Sequence, residues 1–449
     1  MPQACDRGDR RAWGTKMDLR ETLEKLEVLS EVRRVTEPVR IVYGIARSMM
    51  EFDGGPALLF ENVDGFRNKV VAGMCATKKR LASVLGFAEG DVFDRITRSI
   101  GSPLPPDVRS DGPVAETQAE PKLSKLPILT HYEKDPAPYL TSAIVSAMSP
   151  DMRIENVSIH RMMVLDDRHL AIRIVPRHLY RLCELARREG KKVLDVAISV
   201  GLHPSLLIAA SSPAPFGVSE FGVANSLMEG RLTLIQCRNV TANAPADAEV
   251  VLEGRILLDR EVDEGPFVDL TGTYDVVRKQ PIVEIVSMMH RRDFIFQALL
   301  PAGAEHKLLM GLPYEARIWN AVRATIPGLK SVSLTPAGCG WLHAVLSVDK
   351  QTEGDGKSAI LAAFGAHPSL KHVVIVDADI DVNDPSEVEW AIATRFRSDK
   401  GLVTVDNVRS SSLDPSSDQE TLIGAKMGLD ATISFLKSRE KFQRARIPE

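Results

Sequence analysis

The chain is poor in several things, and each shortage removes a class of protein. Cysteine is scarce: five in 449 residues, at Cys5, Cys75, Cys183, Cys237 and Cys339, an odd number, far apart and never as CxxC. They read as reduced thiols of a cytoplasmic protein, with neither a disulfide frame nor a zinc site. The sequons at Asn156 and Asn239 are then coincidental. No apolar run reaches the roughly 18–20 residues that a membrane span needs. The start, "MPQACDRGDRRAWGTKMDLRETL", has charges but no apolar core of a secretory signal. Residues 1–16 are expected to be a disordered extension ahead of a second candidate start at Met17. Charge of one sign is also lacking, with 56 Lys and Arg against 60 Asp and Glu and a net charge of −4. Aromatic residues make up 5% and are not interleaved with basic clusters, so nothing points to nucleic acid.

Three familiar site patterns are missing as well. "EGDGKS" (353–358) ends like a phosphate loop, but Gln351 stands where the first glycine belongs. "GVSEF" (217–221) begins like a nucleophile elbow, but Phe221 replaces the closing glycine. No GxGxxG occurs. Nucleotide hydrolysis, serine hydrolysis and nicotinamide-dependent hydride transfer all lose their usual support.

What is present is enough chain for two or three domains, 44% of it hydrophobic. Leu19, Leu23, Leu26 and Leu29 predict an amphipathic helix over 18–33, followed to about residue 105 by alternating strand-like and helix-like segments such as "ALLFENV" and "KKRLASVLGF". The Pro-rich stretch 101–122 reads as a connection. From 123 to about 300 short β-branched segments dominate, "NVSIHRMMVL", "EVVLEGRIL", "PIVEIVSMM" and "FIFQALL" among them, broken by helices over 178–189 and 217–229. This predicts a mostly antiparallel, barrel-like sheet. The last third alternates helices and strands, with Asp384 as N-cap, Pro385 at N1 and Glu387 at N3 of a helix. That pattern means an α/β layer. The expected organisation is α/β and α+β, multi-domain: an N-terminal α/β lobe with linker (17–122), a strand-rich domain (123–305), an α/β domain (306–440) and a tail (441–449).

Within "ENVSIHR" (155–161), alternation puts Asn156, Ser158 and His160 on one face and Val157, Ile159 and Arg161 on the other. A guanidinium on an apolar face is costly without a matched anion. Glu264 and Asp269, in "DEGPFVDLTGTY" (263–274), are separated by a Gly-Pro turn that lets both approach one cavity. One could pair with Arg161 while the other cycles a proton. Asn156, His178 and Glu220 offer an amide oxygen, an imidazole and a carboxylate, a donor set for magnesium or manganese. Taken singly, each has an ordinary structural explanation: His178 as a satisfied histidine, Glu220 as a helix cap, Asn156 as a strand-edge amide, "EGP" as a turn.

Together and in this order, these residues resemble the UbiD family of reversible decarboxylases that use prenylated FMN. The resemblance spans roughly 18–435 and is carried by "NVSIHR", the "RH" of Arg177 and His178, "SSP" (211–213), the Glu of "SEFGVAN", "EGPFVDLTGTY" and "PSLKHVVIVDADIDVNDPSEVEWAIATR" (368–395). It implies a prenylated-FMN-binding split β-barrel over 123–305 and a C-terminal oligomerisation domain. Asn156, His178 and Glu220 would hold Mn2+ or Mg2+, with K+ nearby. Ser158, Ile159, His160, Arg161, Arg177, Ser211, Ser212, Pro213 and Lys371 would line or contact the cofactor. Arg161, Glu264 and Asp269 would form the catalytic network, with Asp269 donating the proton after a cofactor–substrate adduct loses CO2. His290 is a candidate for the substrate pocket. The implied substrate is an α,β-unsaturated or (hetero)aromatic acid, the implied supplier a flavin prenyltransferase, and the implied assembly a homodimer or homohexamer. "HRRDFIFQALLPAGAEHK" (290–307) resembles the archaeal-type branch more than the phenolic-acid branch. Asp269 stands where the best-studied branch has Glu, and Val268 and Thr273 stand where Gly and Tyr are common. An FMN-dependent oxidoreductase with a split-barrel site and a non-catalytic subunit of a decarboxylase complex are the alternatives. The first lacks a nicotinamide fingerprint, and intact Arg161, Glu264 and Asp269 argue against the second.

Overall fold

The computed structural model describes residues 17–445 and 447, so the extension expected over 1–16 lies outside the described residues. At the centre is a nine-stranded, wholly antiparallel half-barrel sheet. Its spine is two long strands, Val250–Glu264 and Arg278–His290, paired along most of their length with register shifts after Glu253 and Leu257. Val193–Val200, Ile144–Met148 and Glu155–Ile159 continue the sheet on one side; His169–Ile172, Met162–Val164 and Tyr139–Leu140 continue it on the other.

These strands read as continuous apolar runs because both faces are covered. Ile144, Val157, Ala197 and Val251 pack toward the helices Pro204–Ser211 and Glu220–Leu227. Val145, Val196, Ile198 and Leu252 pack toward the N-terminal lobe and the helix His178–Arg188. Burial on the order of 25 cal/mol per Å² of apolar surface makes this two-sided core the main support of the site above it.

Two segments depart from expectation. The sequence puts "FIFQALL" among the barrel strands, but Phe296–Gln297 pairs in parallel with Val70 and Val71 and completes the N-terminal sheet. The Pro-rich 101–122 stretch is no free connection: Asp107–Arg109 pairs with Thr233–Ile235, and Thr117–Ala119 pairs with Met288–His290. Its prolines bracket these short pieces, which keep their own N–H groups for pairing.

The C-terminal part is a five-stranded sheet, in the spatial order Leu329–Leu334, His343–Val348, His372–Asp377, Ile423–Ala431, Leu402–Arg409. The helix Ala304–Thr325 links it to the rest. The expected cap is present, with Asp384 Oδ1 accepting from Ser386 N at 2.8 Å. Among the described residues no helix is long and apolar enough to cross a membrane.

Candidate active site

The strand Glu155–Ile159 carries a ladder of polar side chains on one face, as alternation predicts. His160 Nδ1 lies 2.8 Å from Arg173 O and therefore carries the proton. Its Nε2, 2.9 Å from Ser158 Oγ, accepts that hydroxyl's single hydrogen. Asn156 Oδ1, 3.1 Å from Ser158 Oγ, is thus left as an acceptor. Burial, then the like charge of Arg177, pull His160 down to about 4 against a weaker opposing pull from the Arg173 carbonyl, so it is neutral at pH 7.

Glu220 opens its helix at N1 and reaches back to the strand. Its Oε2 accepts from Val157 N at 2.7 Å and its Oε1 from Asn156 Nδ2 at 3.2 Å, with His178 Nδ1 3.6 Å from Oε1. Asn156, His178 and Glu220 therefore converge as a mixed amide, imidazole and carboxylate set that could hold a divalent cation. Among the described residues no cluster of three or more His, Cys, Asp and Glu is arranged for a metal. Behind it Glu155 accepts from Ser219 Oγ at 2.6 Å and Asn243 Nδ2 at 3.0 Å. Burial, aided by the nearby Glu220 charge, raises its affinity for a proton despite those bonds.

Past the end of the strand, Arg161 finds its anions, three of them. Nε and Nη2 grip Glu264 at 2.9 Å each, Nη1 meets Asp269 at 2.9 Å, and Nη2 also meets Asp275 at 3.1 Å. The guanidinium stacks on Phe267, 4.6 Å from the ring centroid. Burial works against its charge, but Glu264 above all, then Asp269 and Asp275, hold its pKa above the usual range. Gly265, at φ +100°, lets the chain turn between Glu264 and Phe267. Side-chain exposure separates the three acids: 0% for Glu264, 11% for Asp275 and 20% for Asp269, which leaves Asp269 the most open to a ligand.

The remaining candidates are spread unevenly. Arg177 immediately precedes the His178 helix, and its charge is felt by His160. Ser211 and Ser212 donate back to Leu207 O (2.9 Å) and Ile208 O (2.7 Å), ending their helix so that Pro213 leads out of it. Lys371 Nζ is engaged by Asp414 Oδ2 at 3.0 Å and by Ser416 within the C-terminal domain. His290 is not brought to the constellation. It ends the strand whose first residue, Arg278, touches Asp275, and its ring faces Arg291 O and Phe294.

Sequence reasoning missed Asp275, Arg173, Arg278 and His306. Asp275 becomes a partner of Arg161 because the short hairpin Phe267–Val268 with Tyr274–Asp275 pairs it with Phe267. The turn signal at Gly272 could have suggested this pairing. His306, in the first turn of the linking helix, accepts from Ala302 N at 3.0 Å and lies close enough to sense the charges of Asp269 and Arg161. Burial pulls its pKa down.

The buried Arg–carboxylate network and the convergent Asn156, His178 and Glu220, on a half-barrel flanked by α/β layers, fit an enzyme that handles a carboxylate. Comparison with known proteins agrees. Models of the N-terminal, Rift-related and C-terminal domains of 3-octaprenyl-4-hydroxybenzoate carboxy-lyase match residues 23–100, 107–304 and 307–431. The chain belongs to the UbiD family: it is a carboxy-lyase of the prenylated-FMN-dependent kind. It is 47% identical to anhydromevalonate phosphate decarboxylase of Methanothermobacter thermautotrophicus over 84% of this chain and 88% of that protein. It is 41% identical to the Methanocaldococcus jannaschii protein of the same name over 96% and 100%. An evolved dimeric form of the UbiD-class enzyme HmfF from Pelotomaculum thermopropionicum, in complex with prFMN, superposes with a TM-score of 0.89 at 36% identity over 96% of this chain and 97% of that one.

Proposed function

We propose that the chain decarboxylates a phosphorylated, unsaturated acid of the anhydromevalonate phosphate type. The relatives' name describes an acid that has lost water, hence an alkene, and that carries a phosphate. The observation that carries the mechanism is the donor count on Arg161. Four of its five N–H groups are committed to Glu264, Asp269 and Asp275. The fifth, on Nη1 beside Asp269, is left for a substrate carboxylate.

Asn156, His178 and Glu220 would hold Mn2+ or Mg2+, with K+ nearby, at the phosphate end of prenylated FMN; the open Asn156 Oδ1 and the convergent donors fit that task. Arg177, Ser158, Ile159, His160, Ser211, Ser212, Pro213 and Lys371 would line the cofactor in a split-barrel domain over 123–305. A bound prenylated flavin supplies the electron sink that no side chain here offers. Arg161 orients the carboxylate. When the C–C bond breaks and CO2 leaves, Asp269 passes a proton to the substrate carbon and takes one back from solvent. Glu264 keeps Arg161 fixed. A flavin prenyltransferase would supply the cofactor, and residues 306–440 would build a homodimer or homohexamer.

Protein co-expressed with a flavin prenyltransferase should show a bound mass of prenylated FMN plus a divalent metal in native mass spectrometry, lost in Glu220→Ala. It should release CO2 from anhydromevalonate phosphate, and Asp269→Asn should lower kcat by at least about 100-fold. Turnover of phenolic acids but not of the phosphorylated acid would refute the substrate. An Asp269→Asn variant within a few-fold of wild type would refute the proton donor.

A further inference from the structure

Asp275 has no part in the catalytic scheme above, yet it is the third carboxylate on Arg161 and the most firmly tied. Its Oδ2 takes Arg161 Nη2 at 3.1 Å, and its Oδ1 takes Arg278 Nη1 at 2.6 Å and Val276 N at 2.9 Å. Arg173 Nε stands 3.9 Å from Oδ2. One small hairpin therefore carries three parts of the centre: Phe267 under the guanidinium, Asp269 at the turn and Asp275 on the return strand.

We infer that Asp275, anchored by Arg278, is a positioning residue that keeps the Arg161 guanidinium in the plane where its uncommitted N–H lies beside Asp269. Glu264 grips only the Nε–Nη2 edge, and a group held along one edge can still tilt about it. Asp269 opposes the tilt from Nη1, but in the proposed cycle it is alternately charged and neutral, and a neutral acid holds a guanidinium less firmly. Asp275 is not asked to change charge. Burial opposes its ionisation, but Arg161 and Arg278, helped by Arg173, hold its pKa below the usual range. It can restrain Arg161 throughout turnover.

Charge gives the inference a second consequence. Arg161, Arg173 and Arg278 face Glu264, Asp269 and Asp275, three basic groups against three acids. Tyr139, which senses Asp135 as well, and His306, next to Lys307, also feel these charges. Removing Asp275 leaves the centre one unit more positive, which favours an anionic substrate and disfavours a proton on a neighbouring acid. Removing Arg278 does the reverse. The positioning claim rests on the decarboxylase reading only for the role of Asp269.

The test uses the holoenzyme, co-expressed with a flavin prenyltransferase and assayed with anhydromevalonate phosphate, together with crystal structures of Asp275→Ala and of the isosteric Asp275→Asn. In Asp275→Ala, Arg161 Nη1 should move off Asp269 by ~1 Å, an error of a size that costs about 100-fold in rate. In Asp275→Asn, kcat should fall about 10-fold or more without a rise in KM, and the alkaline limb of its pH profile should move to lower pH. Arg278→Ala should raise KM and move that limb to higher pH. A residue that merely supports the fold would lower kcat in both variants and move neither limb. Arg161 undisplaced in Asp275→Ala, or both limbs unmoved, overturns the inference. A wild type inert on every acid while Asp275→Ala still displaces Arg161 refutes the decarboxylation scheme and leaves the positioning role standing.

Discussion

At the scale of single residues, the unusual feature is a guanidinium with 8% of its side chain exposed, surrounded by acids. Breaking a buried pair costs more than the pair contributes, because the survivor stays desolvated. Glu264→Ala should therefore lower unfolding stability by about 3 kcal/mol, the low end for a buried pair since Asp269 and Asp275 remain. Glu264→Gln should recover part of that loss by keeping one acceptor, and urea titration of both variants decides it. A loss of only a few tenths of a kcal/mol would mean that the pair is hydrated in solution. The need for an anion was legible in the sequence, since Arg161 stands in an apolar strand context. The identity of the third anion was not: Asp275 reaches Arg161 through the register of a hairpin, and no local propensity encodes that.

At the scale of elements, the helix Ala304–Thr325 couples all three parts of the molecule. In its first turn Glu305 accepts from Gly73 N at 2.9 Å and Cys75 N at 2.8 Å of the N-terminal lobe, while His306 senses the charges of Asp269 and Arg161. Two turns on, Gly311 passes the 338–340 turn of the C-terminal domain so closely that a Cβ would lie 2.6 Å from Gly340 O. Gly311→Ala should thus cost about 1–3 kcal/mol, the usual penalty of overpacking, and lower Tm accordingly. An unchanged Tm would show that the helix can shift freely against the turn. The sequence displayed only the second half of this helix, "RIWNAVRATI". Its first half holds Gly311 and Pro313, which intrinsic propensity disfavours in a helix, and tertiary contacts on both sides override them.

At the scale of the whole molecule, four buried histidines contribute strongly to the response to acid. Burial pulls His131, His203 and His367 down to about 3 and His160 to about 4, each from 6.5. With folded pKa values depressed, their stabilising effect is complete above pH 6.5 and is lost as pH falls toward 4 and then 3, because the unfolded chain binds protons that the folded one excludes. Near pH 5 unfolding should take up about four protons from this source, a slope of roughly 5 kcal/mol per pH unit. Guanidinium titrations between pH 7.5 and 5 measure it directly. A flat profile would mean that the imidazoles are reached by water in the folded state.

The sequence by itself determined the class of the fold, the polar face of Asn156, Ser158 and His160, the Asp384 cap and the candidates Glu220, Glu264 and Asp269. Each depends on periodicity, on a local turn, or on a residue type out of keeping with its neighbours. Tertiary structure alone decided that the 101–122 stretch is woven into two sheets, that Phe296 belongs to the N-terminal sheet, that His290 lies away from the constellation and that Asp275 belongs to it. Those outcomes depend on which strands meet and in what register. Pairing energy and two-sided burial choose the register over the whole chain, and no short window of sequence contains it.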